Sequence, residues 1–197
     1  MFSAQHLRWS RGRMLAAFVI VTGLLVVLAT TESLAQSTTA SVSSEFRVSG
    51  RVAHPRSYRL TDLKTLPAHT VSVSFQGPGG IQSHSFTGAL LHDVATVAEP
   101  RFDAKRKNDF LRWSARVHAT DDYEVVVSWG EFDPGFEGKQ ILLAYADDGQ
   151  PLTDTGFARL VVPDDKKGGR YVSNVNLVAF KPPRQAPDFG FGFLSDE

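Results

Sequence analysis

The chain has 197 residues, with 21 lysines and arginines balanced by 21 aspartates and glutamates, and it contains no cysteine. A balanced charge offers no basic excess for nucleic acid, so we expect no nucleic-acid partner. The lack of cysteine excludes disulfide bonds, thiolate chemistry, haem thioether attachment and cysteine-based zinc sites.

Residues 1–35 have the pattern of a secretory signal peptide. Three arginines precede the uncharged, largely apolar stretch 14–31, and the small-residue site Ser33-Leu34-Ala35 follows it. We predict cleavage before Gln36 and an exported protein, periplasmic or secreted, without a membrane span after cleavage. The alternative is an uncleaved anchor, because the apolar run approaches the roughly 18 residues that suggest a membrane span.

After the signal peptide, composition and periodicity predict one domain between two less regular segments. Residues 36–44 are rich in serine and threonine and predict a flexible leader. The domain is expected at 45–181, since a chain of this length can bury roughly 70% of its unfolded surface. It starts with a half-buried strand at 46–52, where apolar and polar residues alternate, and a short helix at 60–66.

A hairpin and a helix come next. Val71 to Phe75 and Ile81 to Phe86 alternate apolar and polar residues around the turn 76–80, which is rich in glycine. The segment 89–97 then predicts a helix before Pro100. Its apolar face is expected to consist of Leu90, Leu91, Val94 and Val97.

Further strands complete the predicted domain. Those at 114–119, 123–129, 141–146 and 158–162 are expected to form one buried sheet, and a last strand covers 171–180. Residues 182–197 contain prolines and a Gly-Phe alternation, which predicts a flexible tail. The alternative is that Phe189, Phe191 and Phe193 dock on a partner or on the surface of the domain itself.

The pattern of the histidines and serines excludes two kinds of site. No Gly-x-Ser-x-Gly elbow is present, and Ser83 and Ser85 flank His84 without an evident acid to orient its imidazole. No two histidines of the mature chain have the i, i+4 spacing that presents two ligands to one metal from a helix. We therefore expect no serine triad and no metal centre built from protein ligands alone, and we assign no catalytic residue.

The segment 159–170 carries a concentrated set of lysines, arginines and glycines. Exposed amides in a glycine turn form an anion-binding nest that nearby guanidinium groups reinforce. The alternative is a tight surface turn in which Arg159 pairs with a carboxylate such as Asp154 or Asp165. The candidate binding residues for a phosphate-sized anion are Arg159, Lys166, Lys167, Gly168, Gly169 and Arg170.

Short motifs distributed over the domain have a characteristic order. They are Val48-Ser49-Gly50-Arg51-Val52, Leu60-Thr61-Asp62-Leu63, Phe86-Thr87-Gly88-Ala89-Leu90-Leu91-His92-Asp93-Val94, Gly149-Gln150-Pro151-Leu152, Ala158-Arg159-Leu160-Val161-Val162-Pro163 and Gly169-Arg170-Tyr171-Val172. In this order they resemble the molybdopterin-binding domain of the sulfite oxidase family. The resemblance implies an α+β fold, a mixed β-rich domain with short helices, whose pterin-binding cleft lies at loop ends.

The chain departs from this family at three points. Catalytic members ligate molybdenum through a cysteine upstream of an aromatic-x-Gly motif, and the matching segment here is Phe75-Gln76-Gly77-Pro78. Arg159, Gly169 and Arg170 match the phosphate-binding part of the family pattern, but Ser173 stands where a lysine is often found. The leader has no adjacent arginine pair, so it resembles a Sec leader, which delivers an unfolded chain without cofactor.

These departures set the functional expectation. We expect an exported oxidoreductase-type domain that is degenerate and binds only an anion or a pterin, with molybdopterin implied by the resemblance alone. The alternative is a non-catalytic binding subunit or a partner of a cell-envelope redox protein. Whether the chain is an enzyme stays open.

Overall fold

The computed structural model describes residues 41–183. Over this range the chain forms ten strands, three short α-helices and two 3-10 helices, which confirms the mixed β-rich fold class. The predicted signal peptide at 1–35, most of the leader and most of the tail lie outside the described residues. No helix within 41–183 is long and apolar enough to cross a membrane.

The first sheet has the strand order β2-β1-β10-β5-β6. Strand β1 pairs in parallel with β10, and the other pairs of this sheet are antiparallel. Its strands are β1 Phe46–Gly50, β2 Arg56–Tyr58, β5 Ser114–Ala119, β6 Glu124–Ser128 and β10 Val175–Lys181. The last strand of the domain therefore lies in the middle of this sheet.

The second sheet has the order β3-β4-β7-β8, and β9 also pairs with β7. All its pairs are antiparallel, and the hairpin β3–β4 confirms the predicted turn. Its strands are β3 His69–Gly77, β4 Gly80–Leu90, β7 Leu142–Asp147, β8 Gln150–Pro151 and β9 Arg159–Val161.

Short helices join the strands. They are α1 Leu60–Leu63, α2 Leu91–Ala98 and α3 Trp129–Phe132, with 3-10 helices at Asp109–Arg112 and Gly168–Arg170. Helix α2 buries Leu91 and Val94 as predicted. Leu90, by contrast, is the last residue of β4, and the rest of the buried face consists of Ala95 and Ala98.

The prediction of one buried sheet from the four central strands is wrong. Strands β5 and β6 belong to the first sheet, whereas β7 and β9 belong to the second. Strand β7 is buried on both faces, because Leu143 packs into the main core and Leu142 into a second cluster on the opposite face of the sheet. Burial on two faces explains the continuous apolar runs in β7 and β9.

The packed domain starts before residue 45, the boundary that composition predicted. Ser43 is buried, its backbone N–H donates to Oδ1 of Asn174 at 3.2 Å, and its carbonyl accepts from Phe157 N–H. The Thr120 hydroxyl donates to the Ser41 carbonyl at 2.7 Å. These few hydrogen bonds hold the last leader residues on the domain, although their Ser/Thr-rich composition carries no periodic signal.

Candidate functional site

The loop 164–171 covers the second cluster and contacts the end of the β3–β4 hairpin. The Gln76 backbone N–H donates to the Lys166 carbonyl at 2.9 Å, and Gln76 forms a parallel bridge with Lys167. Gly168 lies against the ring of Phe75, so closely that an added Cβ would be 2.9 Å from the ring carbon Cε2. The structure thus brings the candidate anion-binding turn into direct contact with the segment that matches the family's cysteine loop.

Aromatic rings fill the space between these two segments. The Phe75 side chain is 4% exposed, and its ring stacks on Tyr171 with centroids 4.2 Å apart. Phe86 is fully buried next to Tyr171, at 6.3 Å between centroids. Aromatic pairs at these distances gain dispersion and quadrupole energy beyond the area they bury. The junction is therefore a packed hydrophobic cluster.

Arg159 lies on the edge of this cluster. Its guanidinium carbon is 5.4 Å from the ring centre of Phe86 and 6.0 Å from that of Tyr171. Burial lowers the pKa of Arg159, and the charge of Asp147 opposes the shift. The alternative pairing with Asp154 or Asp165 is wrong, since Arg159 forms an ion pair with neither of them within the described residues.

Two polar atoms at this edge lack partners. Nε of Arg159 and the hydroxyl of Tyr171 are both buried, and neither hydrogen-bonds to any residue in the range 41–183. Burial, together with the charges of Asp165 and Asp164, raises the pKa of Tyr171 to about 12, so its hydroxyl stays protonated at neutral pH. Both atoms are therefore donors for which the domain itself supplies no acceptor.

Arg170 has a different environment from Arg159. Its Nε and Nη2 donate to the two carboxylate oxygens of Asp165 at 2.8 and 2.7 Å, and its Nη1 donates to Glu131 at 2.8 Å. The hydrogen bonds to Asp165, and then the one to Glu131, raise its pKa against the effect of burial. Arg170 thus ties the loop 164–171 to helix α3 through a fork of charged hydrogen bonds.

The remaining candidate residues lie at the surface. Lys166, Lys167 and Gly169 are exposed, and the Gly169 carbonyl accepts a hydrogen bond from the Tyr123 hydroxyl at 2.6 Å. Neither lysine forms an ion pair in the part of the chain that the structure describes. Of the four candidate cations, Arg170 is thus neutralised by carboxylates, while Arg159 and the two lysines lack such partners.

A histidine and two aspartates meet on the same sheet. Nδ1 of His84 is 3.0 Å from Asp147 Oδ1 and 3.9 Å from Asp148 Oδ2. The expectation that His84 lacks an acid to orient it is therefore wrong, because β4 and β7 are neighbours although 63 residues separate the pair. These donors are of types that hold divalent cations. However, both carboxylates already have partners within the domain: Asp147 pairs with His84, and Asp148 Oδ1 accepts from the Ser85 N–H at 2.9 Å.

Replacing Arg170 by alanine tests the role of the fork. The variant should lower the free energy of unfolding by about 1–3 kcal/mol, because Asp165 and Glu131 would lose their charged donor in a partly buried site. Lys166→Ala is the matched control and should change it by less than about 0.5 kcal/mol. Chemical denaturation measures both, and equal effects would contradict a structural role for Arg170.

The hydrogen bond between Arg170 and Glu131 also makes the stability of the domain depend on pH. Burial acts to raise the pKa of Glu131, but the hydrogen bonds from Arg170 and Ser128 and the charge of Arg170 together outweigh it, and the net shift is downward. A depressed carboxyl pKa contributes stability above the unfolded pKa, and this contribution is lost as the pH falls below about 4. Arg170→Ala should therefore remove part of the acid sensitivity of the wild-type protein.

Comparisons with known proteins give the same fold. The crystal structure of the sulfane dehydrogenase SoxCD from Paracoccus pantotrophus is similar to this chain with a TM-score of 0.58 and 17% identity. The match covers 73% of this chain and 39% of that chain, so the chain spans well under half of the length of this neighbour. No curated protein sequence matches.

A family model matches most of the chain. The model describes the oxidoreductase molybdopterin binding domain, and the match runs over residues 35–181. It confirms the resemblance inferred from the order of the motifs. The chain therefore belongs to the oxidoreductase molybdopterin-binding domain family.

Proposed function

We propose that this chain is an exported, degenerate member of its family that performs no redox turnover and binds a small anion beside Arg159. The observation that carries the proposal is the position of Phe75. Its ring is stacked on Tyr171 and pressed against Gly168, at the place where the cysteine loop would approach the anion-binding turn.

The residues present do not fit a molybdenum centre. The segment Phe75-Gln76-Gly77-Pro78 offers a buried ring and a neutral amide in place of the soft anionic sulfur that the family uses. The depression next to it, lined by Phe75, Gln76 and Lys166, has a volume of about 250 Å³. This is below the roughly 300–1,000 Å³ that is usual for ligand pockets. We therefore derive no chemical step through this cofactor.

The local charge also disfavours a large phosphorylated ligand. Around the loop 164–171, Asp165 and Glu131 neutralise Arg170, the charge of Asp147 acts on Arg159, and those of Asp164 and Asp165 act on Tyr171. What remains is the buried Nε of Arg159 and the unpartnered Tyr171 hydroxyl, on two residues whose guanidinium carbon and ring centre are 6.0 Å apart. Two donors of this kind suit a small oxyanion.

Protein purified from its native cell envelope tests the redox part of the proposal. We expect no molybdenum by elemental analysis, no pterin fluorescence and no turnover with an artificial electron acceptor. Gln76→Cys should remain free of molybdenum as well, because the Gln76 side chain is exposed on the face of β3 opposite to Phe75, so a thiolate there would not enter the Phe75–Tyr171 junction. Molybdenum in either protein would contradict the proposal.

N-terminal sequencing of the same sample tests export, for which we expect the first residue to be Gln36.

Calorimetric titration with inorganic phosphate tests the binding part. Arg159→Gln should weaken phosphate binding about tenfold or more by removing a charged donor. Arg116→Gln is the matched control, since its guanidinium pairs with Glu124 in the first sheet at 2.9 Å. Equal affinities in the wild type and in Arg159→Gln would contradict a site at Arg159.

A partner subunit of a cell-envelope redox complex is the second candidate function. The fold shared with a sulfane dehydrogenase favours it. Affinity purification of the full chain should then recover a redox protein from the envelope. If deletion of residues 182–197 leaves that association unchanged, the tail is not the docking segment.

A further inference from the structure

An exposed aromatic surface is formed by residues outside the loop 164–171. Its members, which we call the aromatic patch, are Phe102, Phe110, Leu111 and Phe136. Phe102, Leu111 and Phe136 are 36%, 40% and 50% exposed. The ring of Phe110 is 6.1 Å from that of Phe102 and 5.7 Å from that of Phe136, so the patch is continuous. A continuous exposed patch of large apolar side chains marks a binding surface.

Buried residues underneath the aromatic patch hold it in place. The ring of Phe102 packs edge-on against Trp113 and Trp129, each at 4.9 Å between centroids. The buried carboxylate of Asp109 accepts hydrogen bonds at 2.9 Å from the Trp113 indole N–H and from the Asp103 backbone N–H. The Asp103 N–H, followed by the Trp113 N–H, lowers the pKa of Asp109. This support fixes the 3-10 helix that carries Phe110 and Leu111.

The last described strand leads the chain to this surface. In β10, Lys181 pairs with Ser114, the residue after Trp113. The ring of the preceding Phe180 is 6.3 Å from Trp129. The chain therefore leaves the sheet beside the two tryptophans on which the patch rests. Pro182 and Pro183 have no backbone N–H and cannot continue the strand pairing.

The residues that follow have the composition of an occupant for the patch. Phe189, Phe191 and Phe193 alternate with glycines, so an extended segment presents its rings on one face, about 6.6 Å apart. That spacing is close to the ring separations of 5.7 and 6.1 Å within the patch. Phe189 is eight positions beyond Lys181. It is thus within reach of a surface up to about 26–29 Å away.

Opposite charges also favour contact between the segment 184–197 and the aromatic patch. The segment 184–197 has one arginine and three acidic residues, Asp188, Asp196 and Glu197. The segment 101–112, which forms one side of the patch, has five lysines and arginines and two aspartates. Opposite net charges steer the segment toward the patch and stabilise it there at moderate ionic strength.

We propose that the aromatic patch is the docking surface for the Phe189–Phe193 segment of the same molecule. The segment lies in the extended conformation, with its phenylalanines on Phe102, Phe110 and Phe136 and its glycines allowing close approach of the backbone. This contact is independent of the proposed anion site.

Disulfide trapping tests the docking, and the cysteine-less chain is a clean background for it. Leu111→Cys is combined with Ser195→Cys, because residue 195 shares the face of the phenylalanines in an extended segment. Under mild oxidation the full mature chain should form an intramolecular disulfide at least about tenfold faster than a control that carries Ile81→Cys with Ser195→Cys. Ile81 is 77% exposed and belongs to the hairpin of the second sheet.

Two further measurements separate the outcomes. Changing Phe189, Phe191 and Phe193 to serine should reduce the rate of the Leu111 pair to that of the Ile81 control. Deleting residues 184–197 from the otherwise native chain should accelerate amide hydrogen exchange at 102, 110–111 and 136. Equal rates for the two pairs, covalent dimers in place of intramolecular disulfides, or unchanged exchange would each overturn the proposal, and dimers would indicate a second copy as the occupant.

Discussion

Replacing Phe75 by alanine is expected to lower the free energy of unfolding by about 3–5 kcal/mol, the cost of removing a buried phenylalanine without collapse of the site. The ring is 4% exposed and stacks on Tyr171, while Gly168 closes over it. Urea denaturation monitored by circular dichroism measures the change. A loss of this size would identify the junction as part of the folded core.

Ile81→Ala is the matched control for Phe75→Ala. Ile81 is 77% exposed in the same hairpin, so its truncation should cost less than about 0.5 kcal/mol. If both variants lose the same small amount, Phe75 contributes no core packing. The junction would then be an open cleft with room for a bound cofactor.

Gly88→Ala should destabilise the domain by about 3 kcal/mol or more, at or above the usual range for overpacking. A Cβ at this position would overlap the Leu143 carbonyl and the Ala144 Cα of the neighbouring strand β7. These are backbone atoms and cannot rotate away, so β4 and β7 would have to separate. Thermal unfolding of the purified variant, or its failure to accumulate as folded protein, is the measurement.

Gly79→Ala separates this effect from the general cost of replacing glycine. An added Cβ at Gly79 meets no atom within 4 Å, and the residue lies in the turn of the β3–β4 hairpin. Its stability should stay within about 0.5 kcal/mol of the wild type. A Gly88→Ala protein as stable as Gly79→Ala would show that the two strands tolerate a wider separation.

Local patterns predicted the elements of the fold well, because each depends on residues close in sequence. The alternation in 71–86 with its glycine turn gave the β3–β4 hairpin, and the leucine and valine spacing gave helix α2. Which strands share a sheet is a different question. Apolar residues indicate burial but not the partner strand, so β5–β6 and β7–β9 were wrongly combined.

Local patterns also fail to predict the contacts of the candidate site. Arg159 and Arg170 are equivalent in the sequence pattern, yet Arg170 meets Glu131, which is 39 residues away, while Arg159 lies over Phe86. The pairing of His84 with Asp147 spans 63 residues. Such contacts depend on the order of the strands, which no local motif encodes. The contact between Gln76 and Lys166 likewise follows from no local pattern.

The position of β10 constrains how the domain is made. Strand β10 lies between β1 and β5, and of the strands within 41–183 it is the last to leave the ribosome during synthesis. Until residues 175–181 emerge, β1 and β5 have no common neighbour, and the first sheet remains in two pieces. Closing it joins segments that are more than 120 residues apart, which predicts slow folding. A nascent chain of this topology stays unfolded for longer than one whose sheets are built from sequential hairpins.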